Sequence, residues 1–196
     1  MRTSLYAPLF NRLEELSSRG ERVILAIDGR CGAGKTTLAG ILKERYDCLV
    51  LPIDDFFLRP EQRTAARLAE PGGNIDYERF RSEVLEPLKT GEPFSYRPYD
   101  CHAQKLAEPV LVEPTLLTVV EGSYSLHPYF DGFYTLSVFL TLPVPAQLER
   151  LRARNPANLD RFVSEWIPME ERYFEGFKVS EKSSFCFDTG ARQIEN

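Results

Sequence analysis

Apolar residues are grouped along this chain in short continuous runs. Val23-Ile24-Leu25-Ala26-Ile27, Cys48 to Ile53, Leu116 to Val120 and Leu136 to Leu142 are uninterrupted or nearly so, the pattern of strands buried on both faces. Between the runs the spacing is helical or irregular. Thr37 to Lys43 reads as a helix, and Leu5, Leu9, Leu13 and Leu16 place an amphipathic helix ahead of the first strand. Strands alternating with helices predict an α/β fold, a mostly parallel sheet sandwiched by helices, with ligands at the carboxyl ends of the strands. The residues that close each run therefore carry the most information.

Two stretches break the alternation. Residues 56–114 have few long apolar runs and many prolines, among them Pro71, Pro87, Pro93, Pro98 and Pro109. A helix is expected over Tyr77 to Lys89, followed by an extended excursion from Phe94 to Asp100 that can form a small hairpin. The segment holds too little apolar surface for a core of its own. It reads as a substrate-covering insert within a single domain spanning residues 1–196. Residues 146–177 are helical and charged, with Arg150, Arg152, Arg154, Arg161 and Arg172 in a short span. An arginine-rich lid over a transferring phosphoryl group explains that density. A solvated helix face is the plain alternative.

Composition narrows the field. With 43% hydrophobic and 27% charged residues the chain reads as globular, and no apolar run approaches the roughly 20 residues of a membrane span. A net charge of −5 argues against a nucleic-acid partner. Four dispersed cysteines and two histidines form no zinc-ligand spacing, so reduced thiols and a cytoplasmic protein are the expectation. Oligomeric state leaves no trace in the sequence.

The first buried run leads directly into chemistry. Gly29-Arg30-Cys31-Gly32-Ala33-Gly34-Lys35-Thr36 matches G-x-x-x-x-G-K-[ST] at every fixed position, between a strand and a helix as that motif requires. Its glycines let successive N–H groups turn inward as a nest for the phosphates of ATP at a helix N-terminus, with Thr37 in the first turn. Lys35 adds a point charge, and Thr36 offers a hydroxyl to Mg²⁺. The second run ends in Asp54-Asp55 and the third in Glu121-Gly122. Asp54 is the better placed of its pair to orient a substrate hydroxyl and accept its proton, and can also approach the metal. Glu121, an acid at the end of an apolar strand, suits a magnesium ligand, direct or through water.

Taken in order, ILAIDGRCGAGKTTLA, IDDFF, NIDYERF, RPYD, VVEG and LERLRARN resemble the uridine kinase and phosphoribulokinase group of phosphate-loop kinases across most of the chain. DDFF, VVEG and WIPMEERY are also similar to nicotinamide riboside kinases. The resemblance implies ATP and Mg²⁺ as cofactors, Asp54 as base toward a primary hydroxyl, and Glu121 in support of magnesium. It further implies Asp76 on ribose hydroxyls and Tyr99 beside the base pocket. Without the resemblance, Asp76 reads as the cap of the helix beginning near Tyr77, and Tyr99 as packing for the insert. Among the lid arginines, Arg154 is taken as catalytic and Arg150, Arg152 and Arg161 as substrate contacts, although spacing alone does not say which faces phosphate.

One departure bears on the acceptor. Uridine kinases commonly carry a histidine some five residues beyond that tyrosine, where this chain has Gln104, with His102 only three residues on. The leading expectation is an ATP-dependent small-molecule kinase, uridine kinase-like, acting on a nucleoside-like alcohol. The same chemistry on a non-nucleoside alcohol, pantothenate-like or a sugar phosphate, is the runner-up. A nucleotide-hydrolysing switch protein is the reading from another class, weakened by the lack of an N-K-x-D guanine motif.

Overall fold

The computed structural model describes residues 2–190. Five strands form one parallel sheet: β1 (Val23–Gly29), β2 (Leu49–Pro52), β7 (Leu117–Glu121), β8 (Leu136–Thr141) and β9 (Phe185–Asp188), in the order β2-β7-β1-β8-β9. The four sequence runs supply the first four of these. The edge strand β9, Phe-Cys-Phe-Asp, is too short and too mixed to register as an apolar run. It is held by pairing Val138 with Phe185 through Thr141 with Asp188.

Every residue of β1 is buried, and period-two alternation splits them between two cores. Val23, Leu25 and Ile27 pack with α1 (Ala7–Ser18) and α2 (Lys35–Tyr46), through Leu9, Leu13, Leu16, Leu38 and Leu42. Ile24 faces the opposite core, where Phe80, Val84, Leu85 and Leu88 meet Tyr173 and Phe174. Burying side chains of this size contributes roughly 1.5–3 kcal/mol each. This two-sided burial keeps the central strand rigid beneath the loop that follows it.

Residues 56–114 lie on the second core. After the short α3 (Ala65–Ala69), α4 (Tyr77–Phe80), a π turn (Arg81–Leu85) and α5 (Glu86–Thr90) run on without a break, so the expected helix is present. The extended excursion is longer than the sequence suggested. β3 (Phe94–Tyr96) pairs with β6 (Val110–Val112), and β4 (Tyr99–Asp100) with β5 (Lys105–Leu106), so Phe94 to Asp100 is only the outgoing leg of a hairpin returning through residue 112.

The arginine-rich region comprises α6 (Val144–Arg154), α7 (Leu159–Arg161), a π turn (Phe162–Trp166) and α8 (Ile167–Phe177), followed by the short α9 (Val179–Lys182). Among the described residues no helix is long and apolar enough to cross a membrane.

Candidate active site

The sheet brings the loops after β1, β2 and β7 to one edge, and the candidate residues meet there. From Gly29 to Gly34 every backbone carbonyl has a donor. Gly29 O accepts from Lys35 Nζ at 2.6 Å, Arg30 O from Ala33 N–H at 3.0 Å, and Cys31 O from Gln147 Nε2 at 3.0 Å. Gly32 O accepts from Arg150 Nη1 at 3.1 Å, Ala33 O from Thr189 Oγ1 at 2.9 Å, and Gly34 O from Leu38 N–H at 3.0 Å. The N–H groups of Gly32, Gly34, Lys35, Thr36 and Thr37 have no acceptor among the described residues. A loop with its acceptors engaged and its donors free at a helix N-terminus is an anion site by construction.

Lys35 lies along this loop, its ammonium donating to Gly29 O, to Arg30 O at 3.1 Å and to Ser123 Oγ at 3.1 Å. Ser123 in turn donates to Glu170 Oε1 at 2.6 Å, and Glu170 Oε2 accepts the Cys31 N–H at 2.9 Å. Burial, reinforced by Glu170, pushes the Cys31 thiol up to about 12, so it is an inert packing group. Arg30 turns away from the nest. It forms a two-pronged pair with Glu171 at 2.7 and 2.8 Å and donates to Thr141 Oγ1.

Thr36 and Glu121 converge as the sequence suggested, with Thr36 Oγ1 at 3.3 Å from each carboxylate oxygen. Burial, and then the neighbouring Asp54, raise the Glu121 pKa above its ordinary value. An oxygen-only set of one hydroxyl and one carboxylate beside the free loop amides fits Mg²⁺, which takes few protein ligands and completes its shell with other oxygens and water. Among the described residues no cluster of three or more His, Cys, Asp or Glu forms a self-sufficient metal site.

Asp54 and Asp55 separate clearly. Both sit in a 3-10 turn, Ile53–Phe56, immediately after β2. Asp55 Oδ2 accepts a 2.6 Å hydrogen bond from Tyr96 Oη, which turns it toward the insert. Asp54 turns toward the loop, beside Lys35. Water reaches Asp54, yet protein surrounds it closely enough that desolvation raises its pKa; Lys35 opposes the shift, Asp55 and Glu170 reinforce it, and Arg154 opposes it. Close approach is possible because Gly122, at φ +135°, has no side chain: a Cβ there would lie 2.5 Å from Ile53 Cγ2 and 3.2 Å from Asp54 Oδ1.

The acceptor-side residues are already engaged with their neighbours. Asp76 caps α4 by accepting from Arg79 N–H, accepts from Gln62 Nε2 at 2.8 Å and lies 3.5 Å from Arg79 Nε. Tyr99 is buried with its hydroxyl 3.3 Å from Arg63 Nη2. His102 is exposed at the hairpin tip.

The arginines of 146–177 also divide. Arg154 acts on Asp54. Arg150 is anchored to Gly32 O and to Thr189. Arg161 pairs with Glu165 and covers Trp166, and Arg152 is exposed.

Two carboxylates escaped the sequence reading. Asp28 is completely buried and accepts from Gly29 N–H, Tyr124 N–H, Leu126 N–H and Tyr173 Oη. Desolvation outweighs those donors and lifts its pKa from 3.8 to about 6. It ties the start of the loop to the segment after β7 and to α8. Glu170 is the other, and only its place within a buried helix face could have hinted at it. Asp28 was legible in principle, as a lone acid inside an apolar strand.

The five-stranded parallel sheet, its flanking helices and the loop between β1 and α2 define a phosphate-loop kinase fold. In the Silicibacter sp. TM1040 structure described as a "putative fructose transport system kinase", the likeness covers 93% of this chain and 98% of that one, at TM-score 0.73 and 23% identity. For the structure of a "Possible Uridine Kinase" from Bacillus stearothermophilus the shares are 92% and 100%, at TM-score 0.67 and 20% identity. No protein-family model matches the chain. A Schizosaccharomyces pombe protein named "Putative uridine kinase C227.14" is 29% identical over 76% of this chain and 72% of its own length. The chain is thus similar to uridine kinase-like proteins in sequence as well as in fold.

Proposed function

We propose that this protein is an ATP-dependent phosphotransferase that moves the γ-phosphoryl group to a primary hydroxyl of a nucleoside-like small molecule. The observation that carries the reading is a loop at a helix N-terminus whose carbonyls are engaged and whose free donors are amides, with the Lys35 charge opposing the rise in the Asp54 pKa. In this mechanism the loop amides and Lys35 hold the β and γ phosphates, and Asp54 orients the acceptor hydroxyl and takes its proton as the oxygen attacks phosphorus. Thr36 and Glu121, with Asp54 as a further oxygen donor, would hold a magnesium ion, which when bound with ATP would neutralise charge on the phosphates. Arg154 adds positive charge over the transferring group, while Asp76 and Tyr99 line the acceptor side. Arg152 and Arg161 belong to the lid, and Arg150 reaches the phosphates only through the loop it grips.

A second reading, the same transfer to an anionic non-nucleoside alcohol, has one observation in its favour. Arg63 has no carboxylate within 4.0 Å among the described residues, whereas neighbouring Arg59, Arg67 and Arg79 all do. The Arg63 guanidinium instead donates to Leu58 O at 3.0 Å and lies 3.3 Å from the Tyr99 hydroxyl, on the side read as the acceptor's. Release of ADP from Mg-ATP, followed with uridine, cytidine, nicotinamide riboside, pantothenate, a sugar phosphate or no acceptor, tests both readings. Acceptor-dependent release with a nucleoside is the expected result. Release only with anionic alcohols favours the second reading, and release indifferent to every acceptor sinks both in favour of a hydrolytic switch.

A further inference from the structure

Gln147 and Thr189 are buried polar side chains, 1% and 3% exposed, that no step of phosphoryl transfer uses. They come from distant elements, α6 and the residue after β9, and both reach the same loop. Gln147 Nε2 donates to Cys31 O at 3.0 Å and approaches Cys31 Sγ at 3.2 Å. Thr189 Oγ1 accepts from Arg150 Nη1 at 3.0 Å and has two carbonyls within reach of its one hydrogen, Ala33 O at 2.9 Å and Thr141 O at 3.3 Å, of which the shorter contact is to the loop. The Gln147 orientation is forced, because its amide oxygen would otherwise meet the Cys31 carbonyl oxygen. That orientation leaves Gln147 Oε1 buried with no hydrogen-bond partner. An unmet buried acceptor is costly, and its retention points to a task for the donor end.

The task follows from peptide geometry. In a planar trans peptide the carbonyl and the next residue's N–H point in opposite directions. Gripping Cys31 O from outside therefore drives Gly32 N–H inward, and gripping Ala33 O drives Gly34 N–H inward. These are two of the amides that have no acceptor among the described residues. Both belong to left-handed glycines, φ +78° for Gly32 and +95° for Gly34, where neighbouring peptides rotate at low steric cost. A flipped peptide would present a carbonyl oxygen to a phosphate.

We infer that Gln147 and Thr189 are positioning residues which lock the Cys31–Gly32 and Ala33–Gly34 peptides with their amides toward the phosphates, so that nucleotide affinity depends on side chains that never touch nucleotide. The inference rests on the kinase reading above and deepens it.

Calorimetric titration of Mg-ADP and of pyrophosphate into wild type, Thr189→Val and Gln147→Met tests it, with melting temperatures recorded alongside. Each near-isosteric variant is expected to lose about ten-fold in affinity, the scale of one misdirected hydrogen bond to a charged group. The loss should be equal for pyrophosphate, which has neither base nor ribose, and Thr189→Ser should restore binding. The two substitutions sit on separate elements, so a folding failure in one leaves the other to decide. Folded variants that bind both probes like wild type overturn the inference, as does a Thr189→Ser variant no better than Thr189→Val. Wild-type protein that binds neither probe sinks the kinase reading and this inference with it, an outcome recognisable before any variant is made.

Discussion

The nucleotide side and the acceptor side of this cleft are built by opposite strategies. On the side read as the nucleotide's the free groups are backbone amides between Gly32 and Thr37, and each carbonyl from Gly29 to Gly34 is already engaged. On the acceptor side the candidates are side chains from three separate segments, and several are tied to one another: Asp76 to Arg79 and Gln62, Tyr99 to Arg63, Asp55 to Tyr96. Backbone groups do not change with sequence, so the first half commits the protein to phosphate. Side chains do, so the second half is where related chains can change acceptor without disturbing the first. The contrast also separates two kinds of arginine, with Arg150 gripping the prebuilt loop and Arg154 exposed, its charge opposing the rise in the Asp54 pKa.

If the contrast is right, the most damaging single change falls where the two sides meet. Asp54→Asn is expected to lower kcat about 10²- to 10⁴-fold with little change in Mg-ATP affinity, because an amide cannot take the acceptor proton. Asp55→Asn should be milder, since Asp55 is directed to Tyr96. Steady-state kinetics on the purified pair checks the order, and the reverse order would move the base to Asp55.

Lys35→Ala should cost about 10²- to 10³-fold in turnover while the protein still folds, with a small fall in melting temperature because the ammonium also donates to Gly29 O, Arg30 O and Ser123 Oγ. A variant with near-normal kcat at saturating Mg-ATP would break the assignment of the nucleotide side.

Asp28 sharpens the comparison through stability. Its folded pKa of about 6 lies above the ordinary 3.8, so the folded state favours the protonated carboxyl. That contribution is fully present below about pH 4 and is lost as pH rises through about 6, on the order of 3 kcal/mol from a shift of this size. Urea unfolding between pH 4 and pH 7 should therefore show a shallower decline in Asp28→Asn than in wild type. Parallel declines would remove Asp28 as the source.

The smallest effect is expected at the lid. Because Arg154 opposes the rise in the Asp54 pKa, Arg154→Ala should move the acid limb of the kcat/KM profile to higher pH and lower kcat by about ten-fold, one lost charge contact. Arg152→Ala and Arg161→Ala should stay near wild type, because exposed substitutions usually change stability by no more than about 0.5 kcal/mol. An unshifted limb in Arg154→Ala would return Arg154 to the solvated face of its helix.

Much of this was written into the chain locally. Val23 to Ile27, Leu116 to Val120 and Leu136 to Leu142 specify buried strands because burial on both faces leaves few polar positions, here only Thr118, Ser137 and Thr141, and a strand needs only its own residues to show that pattern. Gly29 to Thr36 specify a phosphate loop because its φ angles and its charge are properties of contiguous residues. The placing of Asp54 and Glu121 followed from strand ends alone. Other features depended on residues far apart in sequence. The edge strand β9 is defined by pairing with β8, and the return leg of the insert hairpin by pairing with its outgoing leg. Glu170 lies 139 positions from the Cys31 amide it accepts, Gln147 lies 116 from the carbonyl it holds, and Thr189 lies 156 from its own. A hydrogen bond across that separation has no periodicity and no motif, because it exists only once both cores have closed and brought a side chain within about 3 Å of the distant backbone group it meets. Sequence alone pointed to a glycine-rich loop between a buried strand and a helix; tertiary structure decided which distant side chains grip its carbonyls.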